Sequence, residues 1–139
     1  LSRLATPWLL KRGGGSIINI SSGAGHIGIR GMMAYCVAKA ALDHLTRCMA
    51  EELAPRIRVN CLALGSIMTP ALQNTFDMEA GFREKLLAKT PLQSIGDAEN
   101  VGVAALFLCS EAGSYSTGAI LNMDGGLQDT NLPFRLPDL

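Results

Sequence analysis

In the stretch "AYCVAKAAL", residues 34–42, a tyrosine and a lysine stand four positions apart among alanines. On a helix, Tyr35 and Lys39 emerge on one face, one turn apart. A free phenol releases its proton only well above neutral pH. An ammonium one turn away favours the phenolate and brings such a phenol within reach of proton transfer near neutrality. The spacing alone is common on solvated helices, so its surroundings carry the argument. Ser22 adds a hydroxyl 13 residues before Tyr35, at the end of the run "SIINISS". The carboxyl end of a strand, beside a glycine-rich loop, is where open α/β sheets keep their ligand crevice.

Three strands and several helices must position these groups. The β-branched run at residues 16–21 reads as a buried strand, as do "IRVNCLAL" at 57–64 and "AILNMD" at 119–124. A helix spans residues 35–54, with Ala38, Ala41, Leu42, Leu45, Met49 and Leu53 at three- and four-residue spacing and Pro55 as its stop. Residues 1–12 read as the end of a helix with Leu1, Leu4, Trp8 and Leu9 on its apolar face, stopped by "KRGGG". Residues 69–95 are less regular, with a helical piece over 81–89, and Asp97 is placed to cap the helix that follows. Strands alternating with helices predict an α/β fold: a parallel, doubly wound sheet with right-handed crossovers. With three strands and their covering helices, the pattern is half of such a sheet. Residues 1–126 form its carboxyl-terminal part and residues 127–139 an irregular tail.

Gly23, Gly25 and Gly28 spell a dinucleotide fingerprint, but the context disagrees. Gly31 still interrupts the loop before any helix, and no acidic residue closes the next strand near 64–66. The loop is read instead as glycine-rich because it bends over a site.

Composition narrows the function. Apolar residues make up 48% and charged residues 17%, which describes a globular chain. The formal net charge is zero, which leaves no electrostatic footprint for nucleic acid or an anionic membrane. No apolar run approaches the ~20 residues of a spanning helix. Cys36, Cys48, Cys61 and Cys109 have no metal or redox spacing and read as reduced, mostly core residues of a cytoplasmic protein. His26 and His44 stand alone, so no metal site is expected.

Taken together, "NISSGAG", then "YCVAK", then "IRVNCLALGSIMTPAL" and "GDAENVGVAALFLCSEAGSYSTGAILNMDGG" resemble the short-chain dehydrogenase/reductase family over residues 1–126. The later motifs are similar to bacterial hydroxysteroid dehydrogenases and to 3-oxoacyl carrier-protein reductases. The resemblance implies a Rossmann-like fold and an oxidoreductase that exchanges alcohol and ketone with NAD or NADP. Ser22, Tyr35 and Lys39 are then the catalytic set. Tyr35, Lys39, Gly65, Ile67 and Thr69 hold the cofactor, and Ser22, His26 and Leu72 meet a hydrophobic substrate. It further implies a homodimer or homotetramer built through helices 1–12 and 35–54. Leu64 departs from the family's usual proline, which loosens the loop bearing Ile67 and Thr69. The family's first half, with its glycine-rich cofactor turn and catalytic asparagine, would precede position 1. The alternative to an active oxidoreductase is a truncated, catalytically incompetent fragment or a pseudoenzyme, acting only through association.

Overall fold

In a computed structural model, residues 1–132 are described; the remainder of the expected tail lies outside the described residues. Helix α1 (Ser2–Lys11) leads into strand β1 (Gly15–Ser22), helix α2 (Met33–Leu53) and strand β2 (Ile57–Leu64). Helices α3 (Pro70–Met78), α4 (Phe82–Lys89) and α5 (Ala98–Cys109) then precede strand β3 (Ile120–Met123). The three strands are parallel, in the order β1-β2-β3. The expected strands and helices are all present, with ends moved by one to three residues.

The side chains show which helix covers which face. Asn19 donates to Thr46 of α2 (2.9 Å), and the Cys61 thiol donates to Asp43 of α2 (3.6 Å). On the opposite face, Ser16 and Arg58 both donate to the Leu108 carbonyl at the end of α5, at 3.4 and 2.6 Å. Strand residues alternate faces, so odd positions of β1 and β2 look at α2 and even positions at α5. The strands step in one direction while their connections lie on opposite faces. The two crossovers therefore have opposite hands, and the expectation that both are right-handed is corrected. Arg58 fastens the second crossover to the sheet. Its guanidinium also reaches the carbonyls of Ser110 and Ser116, and so gathers the free carbonyls at the end of α5.

Ala50, Ile57 and Val59 form an apolar cluster with Leu9, Ile17 and Leu53. The periodicity of α2 misleads about its buried face. Asp43, Thr46 and Ala50 are the buried residues, while Leu45 is 49% exposed. Polar groups are tolerated there because each is bonded: Thr46 accepts from Asn19 and donates to the Leu42 carbonyl at 2.9 Å. The cysteine expectation is also corrected, since Cys61 is buried but Cys48 and Cys109 are exposed. Burial, followed by the nearby Asp43 carboxylate, pushes the Cys61 thiol up, so it stays protonated. The face of α1 read as apolar is split: Leu4 and Trp8 are 74% and 68% exposed, while Leu9 packs on the cluster. Asp97 caps α5 as expected, in a reciprocal pair with Asn100 (2.7 and 3.1 Å). No helix among the described residues is long and apolar enough to cross a membrane.

Candidate active site

Ser22 and Leu64 pair in register as the last residues of β1 and β2. Beyond Ser22 the chain does not enter a helix. Residues Gly23–Gly25 make a single tight turn, and Ser22 Oγ caps it by accepting from the Ala24 N–H at 3.2 Å. The turn presses on α2, and a Cβ on Gly25 would lie 2.5 Å from the Asp43 carboxylate. Gly25 therefore serves close packing, and α2 begins eight residues later, in keeping with the rejection of the dinucleotide fingerprint.

Tyr35 lies in the first turn of α2, with Lys39 a turn further on. Two bonds lock this part of α2 to the end of β1. Lys39 Nζ donates to the Ile20 carbonyl at 3.1 Å, and Ser21 Oγ donates to the Lys39 carbonyl at 3.3 Å. The ammonium sits 5.6 Å from the centroid of the Tyr35 ring. Ser22 and Tyr35 then line one cavity of about 180 Å3, floored by Leu64 and Gly65. Its other walls are mostly apolar, with Ile27, Met32 and Leu127 prominent. One Ser22 lone pair is engaged by Ala24, so its O–H can donate to an oxygen in this space.

The remaining expected site residues are dispersed. Gly65 belongs to the same cavity, where β3 backs onto it so closely that a Cβ would come 2.6 Å from Asp124 Cα. Ile67 lines a larger neighbouring cavity of about 840 Å3, bounded by Val103 and Phe107 of α5. Thr69 caps α3, its hydroxyl accepting from the Leu72 N–H at 3.2 Å. Neither Thr69 nor Leu72 lines either cavity. His26 opens onto a third cavity, of about 380 Å3, with Nε2 3.7 Å from an Asp124 carboxylate oxygen.

The sequence reading missed Asp124, Ser66 and Asn131. Asp124 directly follows β3, and its side chain accepts from the Gly126 N–H at 2.9 Å. The "DGG" at the strand's end was the available signal for that turn. Asn131 carries no comparable local signal.

Open α/β sheets bind ligands in the crevice outside the carboxyl ends of their strands, and Ser22, Tyr35 and Gly65 share a cavity at that end of this sheet. The chain belongs to the short-chain dehydrogenase/reductase family. The family model described as enoyl-(acyl carrier protein) reductase matches residues 1–128. An uncharacterized oxidoreductase of Mycobacterium tuberculosis is 46% identical over 140 residues, covering 100% of this chain and 53% of that protein. The 7α-hydroxysteroid dehydrogenase of Escherichia coli K12 is 41% identical over 133 residues, covering 94% of this chain and 51% of that protein. A solved 7α-hydroxysteroid dehydrogenase, complexed with NADH and 7-oxoglycochenodeoxycholic acid, superposes with a TM-score of 0.82 at 40% identity. That match covers 90% of this chain and 49% of the solved one. The chain thus spans about half the length of the curated relatives it matches.

Proposed function

We propose that the protein carrying this chain is an NAD(P)-dependent oxidoreductase that interconverts an apolar secondary alcohol and its ketone. The observation that carries this is the shared cavity of Ser22 and Tyr35, with Lys39 tied to the strand end beneath them. A bound nicotinamide supplies or takes the hydride. The residues present suit its nicotinamide end. Lys39 offers a cation, and the loop holding Gly65, Ile67 and Thr69 is pinned to Gly96 by two backbone bonds, at 2.7 and 3.1 Å. Tyr35 donates its proton to the substrate oxygen in reduction and recovers it in oxidation. Ser22 donates a hydrogen bond to the same oxygen and supports its developing charge. The Lys39 ammonium supports the phenol oxygen while its proton is away. Ile27, Met32 and Leu127 give the substrate an apolar seat. His26 and Leu72, outside that cavity, would meet more distant parts of a larger substrate.

Lys39→Ala tests the reading. Losing one charged hydrogen-bond donor, worth about 1.5–3 kcal/mol, should raise the cofactor KM about 10- to 100-fold. The same change should lower kcat. Unchanged values for both would remove Lys39 from the site.

The protein should also associate into a homodimer or homotetramer. Trp8 of α1 and Val37 of α2 turn outward, at 68% and 62% exposure, so both helices carry apolar surface away from the sheet. Light scattering of the whole protein at micromolar concentration should show a dimer or tetramer. A monomer at that concentration would refute it.

A second reading applies to residues 1–139 taken alone: a polypeptide without catalysis that acts through association. The open outer edge of β1 favours it, because among the described residues β1 pairs with β2 only. A mass measurement of the natural protein separates the two readings.

A further inference from the structure

His26 and Asp124 stand outside the Ser22–Tyr35 cavity, yet both lie against the turn that holds Ser22. Ser22 caps that turn at its start, and His26 closes it, its N–H donating to the Gly23 carbonyl at 3.0 Å. A Cβ on Gly23 would lie 3.8 Å from Asp124 Oδ2 and 3.9 Å from His26 Cε1. The imidazole and the carboxylate therefore meet beside the residue that follows Ser22. We propose that His26 and Asp124 are a pair of positioning residues, which hold the turn and through it aim the Ser22 hydroxyl. The inference deepens the proposed function and rests on it.

Asp124 is the fixed member of the pair. Its side chain is 7% exposed, against 37% for His26. Oδ1 accepts from the Gly126 N–H, and Gly65 packs closely on the Asp124 backbone. Oδ2 lies 3.7 Å from His26 Nε2. That is too long for a hydrogen bond, so the attraction is ionic and needs the imidazole charged. The strands that carry the two residues are not neighbours, because β2 runs between β1 and β3. The pair thus spans the end of β2 and ties the turn after β1 to the turn after β3. Among the described residues no backbone hydrogen bond makes that connection.

The cavity at the pair is otherwise lined by the uncharged side chains of Asn122, Gln128, Ile27 and Leu127, with Gly126, so Asp124 is the charge that His26 meets there. A second carboxylate at the turn, Asp43 of α2, faces Gly25 instead. Histidine is the side chain whose charge ordinarily changes between about pH 5 and 8. The imidazolium is present in acid and lost as the pH rises, so the tie holds at low pH and slackens at high pH. A slack turn misaims the Ser22 hydroxyl, which costs rate rather than binding.

The test follows ketone reduction by the whole protein, with NADH and with NADPH, on whichever of cyclohexanone, 2-octanone and 1-indanone wild type reduces fastest. Asp124→Asn keeps the shape and the acceptor for Gly126 but removes the charge. It should lower kcat about two- to fivefold at pH 6, the range of an ion pair with one exposed member. It should leave the KM of ketone and cofactor within about twofold, and it should match wild type at pH 9. His26→Gln should behave in the same way, and covers the case in which Asp124→Asn fails to fold. The two substitutions together should cost no more than either alone. In a Ser22→Ala background, Asp124→Asn should leave the residual rate unchanged, because a residue that acts through Ser22 has nothing left to aim. An unchanged kcat at pH 6, an equal loss at both pH values, additive losses, or an undiminished loss in the Ser22→Ala background each overturn the inference. Tyr35→Phe keeps the two claims apart. If it abolishes turnover while Asp124→Asn changes nothing, only the pair is wrong. If it stays fully active, or if wild type reduces none of the ketones with either cofactor, the functional reading fails and the inference with it.

Discussion

Tyr35→Phe in the whole protein should lower kcat by about 10²- to 10⁴-fold, the usual contribution of a positioned acid–base group. The fold should be unaffected. The ring stays, the side chain is already 42% exposed, and surface changes of this kind alter stability by about 0.5 kcal/mol or less. Cofactor affinity should change little, because Lys39 keeps its bond to the Ile20 carbonyl. The pattern expected is thus a loss in kcat without a loss of binding, the mark of an interaction needed in the transition state. A variant with near-wild-type kcat on its best substrate would show that Tyr35 transfers no proton.

Residues 1–139 produced alone should neither melt cooperatively as a monomer nor bind NAD(H) or NADP(H) with micromolar affinity. Among the described residues β1 has one partner strand, and Ile20 near its end is 47% exposed. On the α5 side, Val103, Leu106 and Phe107 also stand open, at 63%, 68% and 47%. Each large apolar side chain left in water forgoes about 1.5–3 kcal/mol of burial. Several such losses equal the whole stability of a typical domain, about 5–15 kcal/mol. For the cofactor, a diphosphate is gripped by a glycine turn at a helix N-terminus. The only fingerprint-like glycines among the described residues make the tight turn after Ser22 instead. Circular dichroism melts and fluorescence titration check both halves of this prediction. A soluble monomer with a sharp transition and micromolar cofactor binding would contradict it.

The strands were legible because parallel, twice-covered strands are continuous apolar runs, as "SIINIS" and "IRVNCLAL" are. Ser22, Tyr35 and Lys39 were legible because a strand end and a helical turn fix their relation locally. What escaped depends on tertiary pairing. Thr46 and Asp43 look like surface residues until Asn19 and Cys61 come to meet them across the sheet. The face that α5 covers is marked by Arg58 bonding to the Leu108 carbonyl, a contact 50 residues away in sequence. Asn131 was hidden for the same reason. Its partners Ser66 and Thr90 lie 65 and 41 residues earlier, and nothing near Asn131 announces them.

Ser22, Tyr35 and Lys39 are proposed to perform nicotinamide-dependent exchange of an alcohol and a ketone. Its most direct test is nicotinamide absorbance, followed in the whole folded protein with NAD and with NADP against apolar secondary alcohols. Wild type and Tyr35→Phe should be run side by side. Wild type should reduce one cofactor and the variant almost none. No turnover of either cofactor by the folded wild type, or equal turnover by the two proteins, would contradict it.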